Sequence, residues 1–233
     1  MVNVLSRMFS FITGTANPLG GECPGGCSYC WSQGRKGLVQ RRRMSKYEGP
    51  PRLYPKVLKK RYGRGDFIFD CGMRDKYSPD VPDEMIFEIY RWQEMSPFAW
   101  FLDLSKWPTR YPSLLSRVPK NVVIGATIET DKPISHEVSR APSPKARLEA
   151  MRQVAENTSH RTFVSVEPIM KFSPSFIDRL LDLKPWAIAV GYDNYNNDLS
   201  EPSFSETMEL VNELRHDDIT VWEKTIRNAW WEK

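Results

Sequence analysis

Asn121-Val-Val-Ile-Gly-Ala-Thr127-Ile-Glu129 is an apolar run that turns polar at its last residues. Near-continuous apolarity, with no in–out alternation, is how a strand buried on both faces of a parallel sheet reads. Working outward, the pattern recurs on both sides. Upstream lie Asp66-Phe-Ile-Phe-Asp70, stopping at Cys71-Gly72-Met73-Arg74-Asp75, and Phe98-Ala-Trp-Phe-Leu-Asp-Leu104, ending in Ser105-Lys106-Trp107-Pro108. Downstream lie Arg161-Thr-Phe-Val-Ser165-Val-Glu167-Pro168, then Trp186-Ala-Ile-Ala-Val190-Gly191 followed by Asp193 and Asn194, then Ile219-Thr-Val-Trp-Glu-Lys224. Phe9-Ser-Phe-Ile12, with Thr13-Gly-Thr-Ala-Asn17-Pro18, reads as a first strand running into the loop beyond it.

Helical patterns fill the gaps. Asp80-Val-Pro82-Asp83-Glu84 opens one, because acids in a first turn favour the helix dipole and proline is tolerated there. Its Met85, Ile86, Ile89 and Trp92 or Gln93 share a face. A short helix falls around Tyr111 to Leu115. Ser143-Pro144 is a good cap and first position for a helix to about Asn157, with Leu148, Met151 and Ala155 inward. Two more run from Ser173-Pro174 to about Leu183 and from Ser205 to Arg215. Six or seven apolar strands alternating with helices predict an α/β fold with right-handed crossovers, a partial, open (β/α)6 barrel of parallel strands. Chemistry in such sheets gathers at the strands' carboxyl ends. Here those ends carry Asp70/Cys71, Ser105/Lys106, Thr127/Glu129, Glu167, Asp193 and Glu223/Lys224.

Before the second strand comes Cys23-Pro-Gly-Gly-Cys27-Ser-Tyr-Cys30, three thiols spaced C-x3-C-x2-C. Iron–sulfur clusters are held by cysteine thiolates, four to a cubane; three ligands leave one iron open. Pro24, Gly25 and Gly26 suit a loop wrapping a compact object. The alternatives are a structural zinc and unliganded thiols. A four-cysteine zinc site shows two C-x2-C pairs, whereas the remaining cysteine, Cys71, stands alone 41 positions past Cys30. Four cysteines in 233 residues without a secretory signal do not make a disulfide framework.

The chain is long enough for one substantial domain, residues 1–233, divided as 1–34 (first strand and cysteine loop), 35–64 (a basic insertion) and 65–233 (the remaining β/α units). No apolar run reaches the 18 or so residues of a membrane span. The apolar patch Met8–Ile12 lacks a signal peptide's length and cleavage site, and reduced thiols point to the cytoplasm. The net charge of +4 is uneven. Between Arg35 and Arg64 stand twelve Lys or Arg against one acid, Glu48, with Tyr47, Tyr54 and Tyr62 interleaved. That segment carries +11 and leaves −7 for the rest. Such a block fits a nucleic-acid phosphate backbone, and equally a solvated loop with no partner.

The cysteine spacing, with Tyr29 before the third cysteine, resembles that of radical S-adenosylmethionine (SAM) enzymes. The resemblance implies a [4Fe–4S] cluster on Cys23, Cys27 and Cys30 whose open iron chelates the amino and carboxylate groups of S-adenosyl-L-methionine. An electron delivered by a donor such as flavodoxin or ferredoxin then cleaves the sulfonium to a 5′-deoxyadenosyl radical. A closer resemblance covers most of the chain. Asp80-Val-Pro-Asp-Glu84, Leu104-Ser-Lys-Trp-Pro108, Gly125-Ala-Thr-Ile-Glu129, Ser165-Val-Glu-Pro-Ile169 and Lys224 look like the ordered motifs of a phage-type radical SAM family of unestablished reaction, distantly similar to spore photoproduct lyase. One departure is Gly191-Tyr192-Asp193, where that family has two glycines and a glutamate.

On this resemblance Tyr29 packs by the adenine, Trp31 shields the cluster, and Gly72, Thr127, Glu129, Ser165 and Glu167 fall where SAM contacts lie. Glu129 and Glu167 also fit structural ion pairs with neighbouring cations. Cys71 is a candidate donor of a hydrogen atom to a product radical, or a small buried hydrophobe. Lys106 and Lys224 are candidates to hold a substrate phosphate or carboxylate. The expected function is a radical SAM enzyme repairing or modifying a nucleic acid or nucleotide. The alternatives are radical chemistry on a small molecule or peptide, and a zinc-stabilised nucleic-acid-binding protein without catalysis.

Overall fold

A computed structural model describes residues 9–232. Met8, which opens the apolar patch, lies outside them. The strands are β1 (Gly14–Ala16), β2 (Leu19–Gly20), β3 (Arg52–Leu53), β4 (Phe67–Asp70), β5 (Trp100–Ser105), β6 (Val122–Thr127), β7 (Thr162–Val166), β8 (Ala187–Val190) and β9 (Thr220–Glu223). The helices are α1 (Leu38–Arg42), α2 (Pro55–Leu58), α3 (Asp83–Glu94), α4 (Tyr111–Leu114), α5 (Pro144–Asn157), α6 (Ser175–Asp182) and α7 (Phe204–His216). Seven strands form one sheet in the order β1-β4-β5-β6-β7-β8-β9, every neighbouring pair parallel. It curls into an open half-barrel. The expected fold class holds, with seven strands in place of six.

The strands are apolar throughout because both faces are covered. Ile68, Phe101, Ile124, Val164 and Ile188 face the helices, against Ile86, Ile89, Met151, Val154, Phe176, Leu180, Leu210 and Leu214. Phe69, Leu102, Val123, Phe163, Ala187 and Ala189 point into the concave face. At the amino end that face is filled by Phe9, Phe11 and Ile12. Phe11 packs against Phe67, Trp186 and Trp222 at ring separations of 4.9, 5.5 and 4.4 Å. Phe9–Ile12 is therefore a plug and not the first strand, which is the shorter β1. An open half-barrel needs apolar filling where no strand closes it, and these side chains supply it.

The helices begin where their caps put them. Ser143 Oγ accepts from the Ala146 amide at the start of α5, and a capping box between Ser203 and Glu206 opens α7. Pro82 sits at the cap of α3, three residues into the acidic stretch. The basic insertion 35–64 carries secondary structure of its own. It holds α1, a 3₁₀ turn at Ser45–Tyr47, β3 paired antiparallel with β2, and the short α2. It starts at the cysteine loop and ends at the amino end of β4.

Candidate active site

At the carboxyl ends of the strands lies a cavity of about 440 Å³. Cys23, Cys27 and Cys30 line one side, with Tyr29, Trp31 and Trp107. Cys71, Gly72, Lys106, Thr127, Ser165, Glu167 and Lys224 line the other walls, at or just past the carboxyl ends of β4, β5, β6, β7 and β9. Residues expected to work together from six separate stretches thus share one space. Trp31 is 40% exposed and forms part of the rim.

The cysteine loop is held from outside its own sequence. The Gln33 amide donates to Cys30 Sγ at 3.3 Å, and Gln33 Oε1 accepts from the Cys23 amide at 2.8 Å. Ser139 Oγ lies 3.1 Å from Cys27 Sγ, and the Arg140 amide donates to Gly25 O at 2.9 Å. Gly26 has φ +52°, and a Cβ there would stand 2.7 Å from the Arg140 guanidinium. Burial, then the Asp75 carboxylate, push the Cys23 thiol up to about 12, and burial raises Cys27. All four cysteines are free. The three thiols line one cavity, yet among the described residues no three Cys, His, Asp or Glu side chains gather around a point that would hold a single metal ion. Three soft thiolate donors spread around a concave wall, each sulfur near hydrogen-bond donors, fit a multi-iron cluster in which each iron takes its own cysteine.

Glu129 sits behind this wall, fully buried. Arg147 Nη1 reaches its Oε2 at 2.6 Å, and Lys106 Nζ and the Tyr29 hydroxyl both donate to its Oε1. Lys106 Nζ also donates to the Tyr29 hydroxyl at 3.0 Å and lies over its ring. Burial raises a carboxyl, but Arg147 and then Lys106 outweigh it and bring Glu129 down to about 2. The ion-pair reading of Glu129 is the one the geometry bears: its oxygens are occupied, and it does not line the cavity. Glu167 does line it, with Lys224 Nζ 3.7 Å away. Burial raises the Glu167 carboxyl more than Lys224 lowers it.

Cys71 closes β4 in the left-handed region, φ +51°, and is buried at the cavity wall. Burial first, then the neighbouring Asp70, raise its thiol well above the usual range. After Gly191, Tyr192 and Asp193 reach the cavity rim, while the Asp193 carboxylate turns back to its own loop, accepting from Asn197 Nδ2 at 2.8 Å and the Asn197 amide at 2.5 Å. Gly191-Tyr192-Asp193 thus opens a self-braced turn.

Several residues went unforeseen. Asp75 is half-buried against the cavity and accepts from Ser105 Oγ at 2.8 Å and the Lys106 amide at 2.7 Å. Ser139 and Gln33 gave no periodic signal. Arg147 did, since it falls four residues before Met151 on the apolar face of α5.

Residues 8–192 match the model of a family described as "Protein of unknown function (DUF5131)". No curated protein matches significantly. Among solved structures, a mutant spore photoproduct lyase with bound AdoMet and dinucleoside spore photoproduct is similar at TM-score 0.59 and 12% identity, over 96% of this chain and 81% of that one. A radical SAM methyltransferase from Sphaerobacter thermophilus gives 0.57 and 13%, over 94% and 67%. SuiB of Streptococcus suis, bound to S-adenosylmethionine, gives 0.52 and 10%, over 91% and 46%. At these identities the likeness is one of fold.

Proposed function

The chain belongs to the DUF5131 family, and we propose that it is a radical SAM enzyme acting on a nucleic acid or nucleotide. The observation that carries this is the convergence of Cys23, Cys27 and Cys30 on one cavity with Cys71, Gly72, Lys106, Thr127, Ser165 and Glu167 at the strand ends. Cys23, Cys27 and Cys30 would hold a [4Fe–4S] cluster. Such a cluster would supply the electron for reductive cleavage of a carbon–sulfur bond of SAM, the radical chemistry of this class.

The remaining work falls to the chain. Thr127 and Ser165 hydroxyls and the Glu167 carboxylate face the cavity as acceptors for an ammonium and a ribose diol. A ligand of SAM's size needs an enclosed, mostly apolar wall with a few such groups. Gly72 leaves that wall open: a Cβ there would stand 2.8 Å from the Phe69 ring. Glu129 is a positioning residue that fixes Lys106 and Tyr29. The Cys71 S–H can return a hydrogen atom to a product radical, leaving a sulfur radical behind. The +11 segment 35–64 supports a polyanionic substrate, beginning as it does at the cluster loop.

Anaerobic reconstitution tests the reading. It should yield about four irons per chain with broad absorbance near about 400 nm, and release 5′-deoxyadenosine from SAM under a chemical reductant. Cys23→Ala, Cys27→Ala or Cys30→Ala should each abolish both, while Cys71→Ala keeps them. A colourless protein with one zinc, or a Cys71→Ala variant that loses its iron, would overturn it.

A further inference from the structure

The amino end of the half-barrel, opposite the cavity, carries an exposed aromatic and cationic surface that the site does not use. Phe98 is 67% exposed, Met95 58% and Trp100 38%. Arg64 lies over the Phe98 ring at 5.7 Å, Arg161 over Trp100 at 5.2 Å, and Arg61 Nη2 is 3.1 Å from Met95 Sδ. The two stretches are bound together, for the Tyr62 amide donates to Ser96 Oγ at 3.1 Å and the Trp100 amide to Asp66 O at 2.9 Å. The nearby acids do not neutralise the patch: Asp66 caps the Gly63 amide, and Glu94 is a single exposed charge.

This surface is where the basic segment ends. Of its twelve Lys and Arg, eleven are exposed and Lys46 is half-buried. Among the described residues none of the twelve forms a salt bridge. Charge without a salt-bridge partner therefore stands at both ends of the segment, at Arg41 to Arg43 shortly after the cysteine loop and at Arg61 and Arg64 beside the amino ends of β4 and β5. The segment finishes on exposed rings.

We propose that Phe98 and Trp100, with Arg64 and Arg161, form a stacking platform for a single-stranded nucleic acid, so that the strand is anchored at the base while its reacting nucleotide enters the mouth. The proposal rests on the nucleic-acid reading above and adds where the strand goes and that it is single. A positive track with aromatic faces is how single strands are held without sequence preference, and a paired duplex offers no free base to stack. β5 starts at Trp100 and ends beside the cavity at Ser105. At ~3.3 Å per residue that is roughly 17–20 Å, about five or six stacked nucleotides at ~3.4 Å each. Shorter strands cannot occupy both ends.

Fluorescence anisotropy with labelled oligo-dT and oligo-U of two to fifteen nucleotides tests this. Wild-type affinity should rise until about six nucleotides and then flatten. Phe98→Ala should weaken ten-nucleotide binding about tenfold, and Phe98→Ala/Trp100→Ala should weaken it further. An abasic ten-mer should bind wild type and Phe98→Ala alike, because it has nothing to stack. Arg64→Gln, exposed and clear of the core, should weaken base-bearing and abasic strands equally. If wild type binds single strands but Phe98→Ala and Arg64→Gln bind as tightly, the platform is wrong and the substrate reading stands. If wild type binds no oligonucleotide, both fall. A dimer that Phe98→Ala dissociates, with oligonucleotide binding unchanged, would give the patch to a second copy and overturn the proposal.

Discussion

Glu129 shows how much of a site one buried charge can organise. Its two oxygens hold Arg147 from α5, Lys106 after β5 and Tyr29 from the cysteine loop, so three segments distant in sequence meet on one carboxylate. The Glu129 carboxyl falls from 4.5 to about 2, burial being outweighed by Arg147 and Lys106. A depressed carboxyl stabilises the fold above its unfolded value and loses that stabilisation as pH falls through the folded one. The contribution is therefore full above about pH 4.5, vanishes toward about pH 2, and is on the order of 3 kcal/mol. Urea unfolding of the metal-free protein between pH 7 and pH 2.5 should show wild type losing more stability than Glu129→Gln in that window. Equal losses would mean that the pairs are worth nothing to the fold. The three ligand cysteines were legible in the sequence because a cluster demands a spacing that little else demands. Arg147 was half legible, as a charge on an apolar face. Ser139 was not, because a hydroxyl reaching Cys27 from 112 residues away leaves no pattern.

Between elements, the same economy recurs on the helix-facing side of the sheet. Asp70 at the end of β4 and Asp103 in β5 are both buried, and Lys76 Nζ lies 2.9 and 2.7 Å from them. Asp103 also accepts from Tyr77 at 2.6 Å and from Gln93 of α3 at 2.8 Å, whereas Asp70 Oδ1 has no partner. Burial and the charge of Asp103 raise the Asp70 carboxyl well above normal; Lys76 holds Asp103 below it despite burial. One ammonium with one carboxylate and one neutral acid is the arrangement that leaves no net buried charge. Asp70→Asn should thus cost less than about 1 kcal/mol, and Asp103→Asn about 3–5 kcal/mol by stranding Lys76. Chemical denaturation of the two variants decides this, and equal costs would reject the assignment. None of it was legible, since an acid inside an apolar strand reads only as an interruption. The helices read better: α5 begins at the expected Ser143-Pro144 because capping is local chemistry written in adjacent residues. The plug at Phe9–Ile12 read wrongly as a strand, because two phenylalanines at alternate positions serve either role.

Across the whole molecule the decisive asymmetry is charge. The sequence showed that residues 35–64 carry +11 and the rest −7; the structure adds that the segment starts at the cysteine loop and ends beside the amino ends of β4 and β5. Its near end, Arg41 to Arg43, closes α1 just past the cysteine loop, and Lys36 Nζ reaches across to the carbonyls of Tyr195 and Asn196 at the rim, both at 3.1 Å. A polyanion drawn to this segment displaces counterions, and each phosphate neutralised contributes about −0.9 to the slope of log K against log salt on duplex, or about −0.7 on a single strand. Engaging about four to six of the twelve cations gives a slope of roughly −3 to −5. Arg41→Gln, Arg42→Gln and Arg43→Gln together should flatten it by about two, with the same loss on every sequence tried. Iron content and substrate-free 5′-deoxyadenosine release should stay unchanged, since those side chains lie outside the cavity. This loss is separable from that of Phe98→Ala, which removes stacking and should leave the slope alone. Salt-titrated binding to single- and double-stranded DNA and RNA measures it. A triple variant with the wild-type slope would show that the near end of the segment touches no phosphate.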